Sequence, residues 1–400
     1  MSNTPATTWS AGKAPAAGTG VIGTAIGQNL EHNGTSPVTV TYTITPTGPP
    51  PTNCAGAAVT RTVVVNPSGQ VNDPADQVRC NGAATAAVTF TTNRTGGTTT
   101  YSWTNSNTSI GLGASGTGNG IASFTATNTG TSPVTATITV TPSFEGCAGT
   151  PQSFTITVNP SGQVNDPADQ VRCNGAATAA VTFTTNRKGG TTTYSWTNSN
   201  TSIGLAASGT GNSIASFTAT NTGTAPVTAT ITVTPSFEGC AGTPQSFTIT
   251  VNPTPVLSSG LAPADVCSNT PFSYTPTSLT GSTSFSWARS AAAGITPAPT
   301  SGVNGISETL RNITSATIPV TYVYTLSANG CPNTQNVVVN IKPEPVIADQ
   351  SVDVCSGETL VHTILLDNFT NPPDIVTFTW DLPVLSGGLT GGTDRLTPSS

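Results

Sequence analysis

The chain contains two consecutive stretches of 93 residues, 66–158 and 159–251, that are almost the same sequence. They align without a gap, and 89 of the 93 positions are identical. The differences are Thr95/Lys188, Gly113/Ala206, Gly120/Ser213 and Ser132/Ala225. A sequence that recurs at a fixed period of tens of residues folds as a repeated structural unit. The repeat therefore predicts an array of small units and not one large domain.

Weaker copies of the unit flank this pair. Residues 37–46 and 319–327 resemble 133–142, and each of these runs is followed by a cysteine and a closing apolar run. Every unit also has one tryptophan at an equivalent place: Trp9, Trp103, Trp196, Trp287 and Trp380. These landmarks predict a partial repeat at 1–66, whole repeats at 67–159 and 160–252, a diverged repeat at 253–342 and a partial repeat at 343–400. We expect the sequence to be part of a longer array.

Apolar and polar residues alternate over short runs. In 134–141, Val134, Ala136, Ile138 and Val140 alternate with threonines. Such alternation, with Gly, Asn and Pro clusters between the runs, predicts half-buried antiparallel strands. A unit with about seven such strands fits two packed sheets. The predicted fold class is therefore all-β, with tandem immunoglobulin-like antiparallel β-sandwiches in an elongated array.

Composition argues against several classes of function. Charged residues form 7% of the 400 positions and the net charge is −6, whereas about 25% charged residues is usual. No apolar run approaches the ~18–20 residues that cross a bilayer. The two histidines, His32 and His362, lie in different units and in no catalytic motif. We therefore expect no enzyme, no cofactor, no nucleic-acid partner and no membrane span, and we expect neighbouring repeats as partners.

The tryptophans test whether aromatic residues are core or surface. In four units an aromatic residue stands two positions before the tryptophan, as in Tyr101–Trp103. Residues i and i+2 share one face of a strand, so the pair either fills the core or forms a platform that stacks on a sugar. One such pair per sandwich favours the core. The predicted core tryptophans are Trp103, Trp196, Trp287 and Trp380.

Eight cysteines with almost no histidine predict disulfides, not zinc sites, and hence an oxidising compartment. Pairing within units gives Cys80–Cys147, Cys173–Cys240 and Cys267–Cys331, and leaves Cys54 and Cys355 over. Pairing across junctions gives Cys54–Cys80, Cys147–Cys173, Cys240–Cys267 and Cys331–Cys355. Because each whole unit contains its own pair, we favour the first scheme, unless the two cysteines of a unit sit at opposite ends of its sandwich.

Carboxylates near the predicted junctions are calcium candidates. Calcium prefers six to eight oxygen ligands, and junction carboxylates that bind it would stiffen an array. The alternative is ordinary turn chemistry of Asn, Asp and Pro. The candidates are Asp73, Asp76, Asp166 and Asp169, with Glu145 and Glu238 in a nearby loop of each unit.

The repeat carries a recognisable series of motifs. In order, it reads Cys-Asn-Gly, Tyr-Ser-Trp-Thr-Asn, Ala-Thr-Ile-Thr-Val-Thr-Pro, Gly-Cys-Ala-Gly-Thr and Phe-Thr-Ile-Thr-Val-Asn-Pro. This series resembles the PKD-like repeat, closely over 67–252 and more loosely over 253–342 and the two ends. The resemblance implies tandem β-sandwiches in large exported, adhesin-like surface proteins of bacteria that use type IX secretion.

Together these observations predict a non-catalytic spacer segment of a bacterial cell-surface or secreted adhesin-like protein. A glycan or another surface ligand would then bind a module outside these 400 residues. The alternative is a carbohydrate-binding accessory array, in which loop aromatics such as Phe144 and Phe237 contact a glycan. In either case we expect an extracellular or cell-surface location.

Overall fold

The computed structural model describes residues 2–5, 29–51, 53–345, 347, 349–362 and 379. The regular secondary structure of the described chain comprises strands and two 3-10 helices of three residues each. It forms two compact units, residues 1–220 with 228–250, and residues 221–227 with 251–400. The predicted all-β fold class of tandem sandwiches is confirmed.

The first repeat contributes one three-stranded sheet. Its strands are β1 (Ser2–Pro5), β2 (Val38–Ile44) and β3 (Val59–Val65). The central strand β2 pairs antiparallel with both neighbours, so that the sheet order is β1-β2-β3. Val40 and Tyr42 of β2 are buried, whereas β3 is exposed along most of its length.

The repeat at 67–159 has a complete sandwich. Its strands are β4 (Gln77–Cys80), β5 (Val88–Thr89), β6 (Thr99–Asn105), β7 (Ser115–Thr117), β8 (Gly120–Ile121), β9 (Val134–Phe144), β10 (Cys147–Ala148) and β11 (Gln152–Asn159), with a 3-10 helix at Thr108–Ile110. The larger sheet has the order β4-β11-β9-β6-β7, with β10 paired to β9. Strands β5 and β8 form a separate antiparallel pair.

The direction of β4 decides where its cysteine lies. Strands β9 and β11 are antiparallel, with Ile138 opposite Phe154, whereas β4 runs parallel to β11, with Cys80 opposite Asn159. Because β11 is the last strand of the repeat, the first strand carries Cys80 to the end at which the chain leaves. The alternation predicted for 134–141 is confirmed in β9, since Ala136, Ile138 and Val140 are all 0% exposed.

The repeat at 160–252 repeats this topology. Its strands are β12 (Gln170–Cys173), β13 (Val181–Thr182), β14 (Thr192–Asn198), β15 (Ser208–Thr210), β16 (Ser213–Ile214), β17 (Val227–Phe237), β18 (Cys240–Ala241) and β19 (Gln245–Asn252), with a 3-10 helix at Thr201–Ile203. The larger sheet has the order β12-β19-β17-β14-β15.

The diverged repeat at 253–342 keeps the same main sheet. Its strands are β20 (Val266–Cys267), β21 (Pro271–Tyr274), β22 (Ser284–Arg289), β23 (Ile295–Thr296), β24 (Ser301–Val303), β25 (Ile306–Thr309), β26 (Arg311–Asn312), β27 (Ile318–Ala328) and β28 (Cys331–Lys342). The main sheet has the order β20-β28-β27-β22-β24. Its core is more aromatic, because Tyr322 and Tyr324 of β27 stand where β9 has aliphatic residues.

The tryptophans lie in these cores. Trp103 and Trp287 belong to the buried clusters of their repeats, and Trp196 is 8% exposed. Close packing fixes each indole: a Cβ at Gly116 would lie 2.5 Å from the Trp103 ring, and Gly209 has the same relation to Trp196. Trp380 and Trp9 lie outside the described residues.

Candidate functional site at the junction between repeats

The linker between the repeats at 67–159 and 160–252 is short and tightly seated. It consists of Pro160, Ser161 and Gly162, directly after β11. Gly162 N donates to Cys240 O at 2.9 Å. A Cβ on Gly162 would lie 2.6 Å from Pro235 O, and one on Gly242 would lie 1.8 Å from Gly162 O. Only glycine fits at these two positions, so the linker is fixed to the hairpin of the repeat it enters.

An arginine joins the linker to the preceding repeat. Arg187 Nε donates to Ser161 O at 2.7 Å, and Arg187 Nη1 donates to Gly130 O at 2.7 Å. The next backbone amide, Lys188 N, donates to Thr131 O at 3.0 Å. Hydrogen bonds from a charged donor contribute more than neutral ones. Arg187 therefore holds the turn of one repeat, the linker and the next repeat together.

The same contacts recur one repeat earlier. Arg94 Nε donates to Ser68 O at 2.8 Å and Arg94 Nη1 donates to Gly34 O at 3.0 Å. Thr95 N donates to Thr35 O at 2.9 Å. The two junctions are thus built alike. Sequence reasoning missed these arginines, although a cation repeated at the 93-residue period in a chain with 11 Lys and Arg was a usable signal.

A buried asparagine fixes the turn that accepts the arginine. Asn128, 5% exposed, donates through Nδ2 to Ser132 O and Val158 O, and its Oδ1 accepts from Gly130 N. In the first repeat His32 takes this place, because its Nε2 donates to Ser36 O at 2.6 Å and its Nδ1 accepts from Gly34 N. His32 is therefore a turn residue of the junction.

A disulfide crosses the junction. Cys80 of one repeat bonds to Cys240 of the next, with 5.4 Å between their Cα atoms. The geometry follows from the sheet: Cys80 lies opposite Asn159 at the exit of its repeat, and Cys240 contacts Gly162 at the entrance of the following one. The disulfide therefore connects the two repeats on either side of the three-residue linker.

This bond corrects both predicted pairing schemes. Within a unit, Cys80 and Cys147 lie at opposite ends of the sandwich, so the pairs Cys80–Cys147 and Cys173–Cys240 are wrong. The pairs of the second scheme are wrong too, because Cys80 and Cys240 are bonded to each other and every other pair contains a free cysteine. Cys173 and Cys331 are disulfide-bonded, whereas the free cysteines of the described chain are Cys54, Cys147, Cys267 and Cys355. The predicted bond Cys267–Cys331 is therefore also wrong.

Two of the four calcium candidates accept hydrogen bonds from backbone amides of their own repeat and do not face the linker. Asp76 Oδ1 accepts from Thr155 N at 2.6 Å, and Asp169 Oδ1 accepts from Thr248 N at 2.6 Å. These backbone hydrogen bonds lower the pKa of both carboxyl groups. Thr155 is a mid-strand residue of β11, so the run containing Asp76 lies along the side of the repeat.

The other carboxylates do not join them. Asp73 and Asp166 are exposed, and Glu145 accepts from Thr98 N, as Glu238 does from Thr191 N. Within the described residues no three His, Cys, Asp or Glu side chains are grouped to hold a metal ion. Calcium binding at Asp73, Asp76, Asp166 and Asp169 stays a prediction.

The aromatics proposed for glycan contact are not accessible. Phe144 and Phe237 are both 0% exposed. Each packs over a glycine, since a Cβ at Gly97 would lie 2.6 Å from Phe144 Cζ and one at Gly190 would lie 2.7 Å from Phe237 Cζ. The expectation that these two rings stack on a sugar is wrong.

Hydroxyl-lined grooves are a second feature shared by the two near-identical repeats. One groove of about 410 Å³ and its equivalent of about 400 Å³ open beside β6–β7 and β14–β15. The first is lined by Thr100, Thr117, Asn119, Thr141 and Ser143, among others. Their linings offer donors and acceptors but no charge.

The diverged repeat has a buried polar network instead. Arg289 Nε lies 3.0 Å from Glu308 Oε2, with side chains 1% and 11% exposed. Arg289 Nη2 also donates to Pro297 O and Ala298 O, and Tyr322 Oη donates to Glu308. Burial and the hydrogen bond to Glu308 raise the pKa of Tyr322 far above its ordinary value. The buried Arg289 guanidinium therefore has the Glu308 carboxylate as its counter-charge, as a buried charge requires.

The histidine and the glycine-rich run that the sequence singles out have local structural contacts. His362 Nε2 contacts Gln350 Oε1, far in sequence from His32. Gly111 in the glycine-rich run 111–118 closes the 3-10 helix with φ 95°. No helix of the described chain is long and apolar enough to pass through a membrane.

Comparisons with known proteins identify a domain family. A PKD-like domain model matches residues 4–69, 170–255 and 264–345, which together exceed half of the chain. No curated protein matches the chain. Among solved structures it is similar to the titin I-band fragment I67–I69, at 12% identity and a TM-score of 0.39, over 68% of this chain and 96% of that one. It is also similar to extracellular domains 3–5 of Drosophila OTK, at 13% identity and a TM-score of 0.26, over 69% and 96%. The match to three separate regions shows that the chain belongs to the PKD-like domain family.

Proposed function

We propose that the chain is a non-catalytic spacer that holds another module of an exported surface protein away from its anchor. The observation that carries the proposal is the disulfide from Cys80 to Cys240 across the linker. A spacer must transmit a load from one end to the other without lengthening. A bond that joins the exit of one repeat to the hairpin of the next provides such a path.

The disulfide determines which part of the chain carries a pulling force, and we call this route the load path. A pull on the two chain ends would pass from Cys80 directly to Cys240 through sulfur. Residues 81–239, which lie between the two cysteines and hold most of two sandwiches, would then carry no tension. At about 3.5 Å per extended residue, the bond withholds roughly 550 Å of chain from extension.

The seated linker and its arginine support the same role. Arg187 and Gly162 fix the linker to both repeats, so a stiff junction is expected, and we propose an elongated array of about 150 Å or more from strands of ~3.3 Å per residue. For a rod of that length the radius of gyration is about 43 Å. A compact 400-residue globule would give about 21 Å. Small-angle scattering of the full chain decides between the two values.

Force spectroscopy tests the spacer role most directly. The sample is the full chain with every cysteine except Cys80 and Cys240 replaced by serine, so that one known bond remains. We expect the oxidised form to extend about 550 Å less than its reduced form. The control replaces all eight cysteines and should extend equally under both conditions. Equal extension of the oxidised and reduced test chains would contradict the load path.

An extracellular location on a bacterial surface, reached through type IX secretion, is part of this proposal. Disulfides persist in oxidising compartments, and the membership in the PKD-like family accords with exported arrays. Fractionation of the native cells with and without the secretion system tests this directly: the chain should leave the surface fraction when secretion is blocked.

A carbohydrate-binding array is the second candidate, because the two hydroxyl-lined grooves recur at the same place in successive repeats. Uncharged hydroxyl and amide groups suit sugar hydroxyls. A glycan array probed with the full chain tests this role, with Thr117→Trp and Thr210→Trp together as the variant that fills both grooves. Binding that the variant loses would favour this role, and a blank array would exclude it.

A further inference from the structure

The first repeat has an edge that no described strand covers. In the repeat at 67–159 the last strand β11 is flanked by β4, and in the next two repeats β19 is flanked by β12 and β28 by β20. In the first repeat the equivalent strand β3 ends the sheet. Its valines are exposed, with Val59 at 49%, Val63 at 43% and Val64 at 58%.

The other repeats set the register that a strand covering this edge would take. Gln77, Val78, Arg79 and Cys80 of β4 lie opposite Ile156, Thr157, Val158 and Asn159. At the 93-residue period these last four positions correspond to Val63, Val64, Val65 and Asn66. A strand added in the same way would run parallel to β3 and would place its fourth residue beside Asn66.

The free thiol of Cys147 belongs to the junction at which the fourth residue of such a strand would lie. Cys147 occupies the hairpin position that Cys240 has in the next repeat, and it is free. Its surroundings match: Gly69 N donates to Cys147 O at 3.0 Å, as Gly162 N donates to Cys240 O at 2.9 Å. Arg94 bridges this junction as Arg187 bridges the next. At the matched junction the cysteine beside Asn159 is bonded to Cys240.

We propose that the edge of β3 and the Cys147 thiol form one docking site for a parallel β-strand that ends in cysteine. The occupant is the first strand of a PKD-like repeat, of the type Gln-Val-Arg-Cys that β4 represents. Backbone hydrogen bonds to an exposed sheet edge give such a strand its affinity. A disulfide to Cys147 then locks it. This inference does not depend on the spacer role.

The covalent step is thiol–disulfide exchange. The probe is a peptide of residues 75–82, Ala-Asp-Gln-Val-Arg-Cys-Asn-Gly, activated as its mixed disulfide with thionitrobenzoate. The Cys147 thiolate attacks the peptide sulfur, a new sulfur–sulfur bond forms, and thionitrobenzoate leaves as a coloured thiolate. The Cys147 proton passes to water, and the activated peptide supplies the oxidising equivalent.

The test uses the full chain with Cys54→Ser, Cys267→Ser and Cys355→Ser, which leaves Cys147 as the free thiol of the described residues. The control peptide replaces the central Val by Pro, which cannot donate to a ladder. We expect the Val peptide to label Cys147 at least tenfold faster, with the site confirmed by peptide mapping. Equal rates for the two peptides would overturn the proposal.

A second measurement does not require the new bond. The same peptide with Ser in place of Cys is added to the wild-type chain, and amide hydrogen exchange is followed along 59–66. We expect slower exchange at Val63–Val65 and no change along β11, whose edge β4 already covers. Unchanged exchange along β3 would overturn the proposal, even if Cys147 reacts.

Discussion

Cys80 and Cys240 are 160 positions apart in the sequence, yet their Cα atoms lie 5.4 Å apart and their sulfurs are bonded. The pair lies around the linker Pro160–Gly162, so it joins two folded repeats and does not brace the inside of either. Stability of the two repeats is therefore coupled through this bond.

Loss of either sulfur should destabilise both repeats equally. For a closed loop of this length the chain-entropy model gives about 5 kcal/mol. We expect Cys80→Ser and Cys240→Ser to lower the free energy of unfolding by similar amounts, and the double variant to cost no more than either one. Denaturant unfolding of the full chain measures all three. Cys54→Ser, at an exposed free cysteine, is the control and should leave the curve unchanged; additive losses would contradict the coupling.

Arg187 should contribute to the junction specifically. Arg187→Ala removes its donors to Ser161 O and Gly130 O, and because the side chain is half-buried we expect a loss of about 1–2 kcal/mol. Amide exchange at Lys188, which donates to Thr131 O, should accelerate in the variant. Arg172→Ala is the matched control, since Arg172 donates to the adjacent Val171 O. Equal effects of the two substitutions would argue against a bridge.

How much of this could be read from the sequence depends on whether the signal is local. The alternation in 134–141 predicts β9 because a strand's two faces depend only on neighbouring residues. The core position of Trp103 follows in the same way. The cysteine pairing does not, because it depends on β4 running parallel to β11, and no local pattern specifies that direction.

The junction shows the same limit. Arg187 bonds to Gly130, 57 positions earlier. Its recurrence as Arg94 at the 93-residue period marks the residue, but does not say which distant backbone group the arginine contacts. The sequence alone suggests a loop position for Phe144. It is the last residue of β9, whose alternation continues into the core.

The close contact between Gly242 and the linker residue Gly162 should exclude any side chain at position 242. Gly242→Ala would place a Cβ 1.8 Å from Gly162 O, where backbone must shift, and overpacking of this kind costs about 1–3 kcal/mol. Gly113→Ala is a control supplied by the chain itself: the site has nothing within 4 Å, and the next repeat has Ala206 there. Thermal unfolding of the two variants should separate them, and a neutral Gly242→Ala would disprove the tight seat.

The buried pair of the diverged repeat should be sensitive to losing one charge. Glu308→Gln leaves the Arg289 guanidinium, 1% exposed, without its counter-charge, which costs about 3–5 kcal/mol. The control is Asp265→Asn, because Asp265 pairs with Lys342 with side chains 41% and 48% exposed, and surface pairs contribute only about 0–1 kcal/mol. Urea unfolding compares them; similar small losses would show that the pair is not buried in solution.

Acid should weaken the repeats through Asp76 and Asp169. The hydrogen bonds from Thr155 N and Thr248 N lower the pKa of these carboxyl groups below the ordinary value, so the folded state favours the ionised form. Their stabilisation is fully present above the unfolded pKa of about 3.9 and is lost as the pH falls through the lower folded pKa. We expect the urea concentration at the midpoint of unfolding of the wild-type chain to decrease as the pH is lowered from about 5 to about 2. The fall should be shallower in Asp76→Asn with Asp169→Asn, because asparagine does not titrate, and identical slopes for the two chains would show that these carboxylates do not set the acid limit.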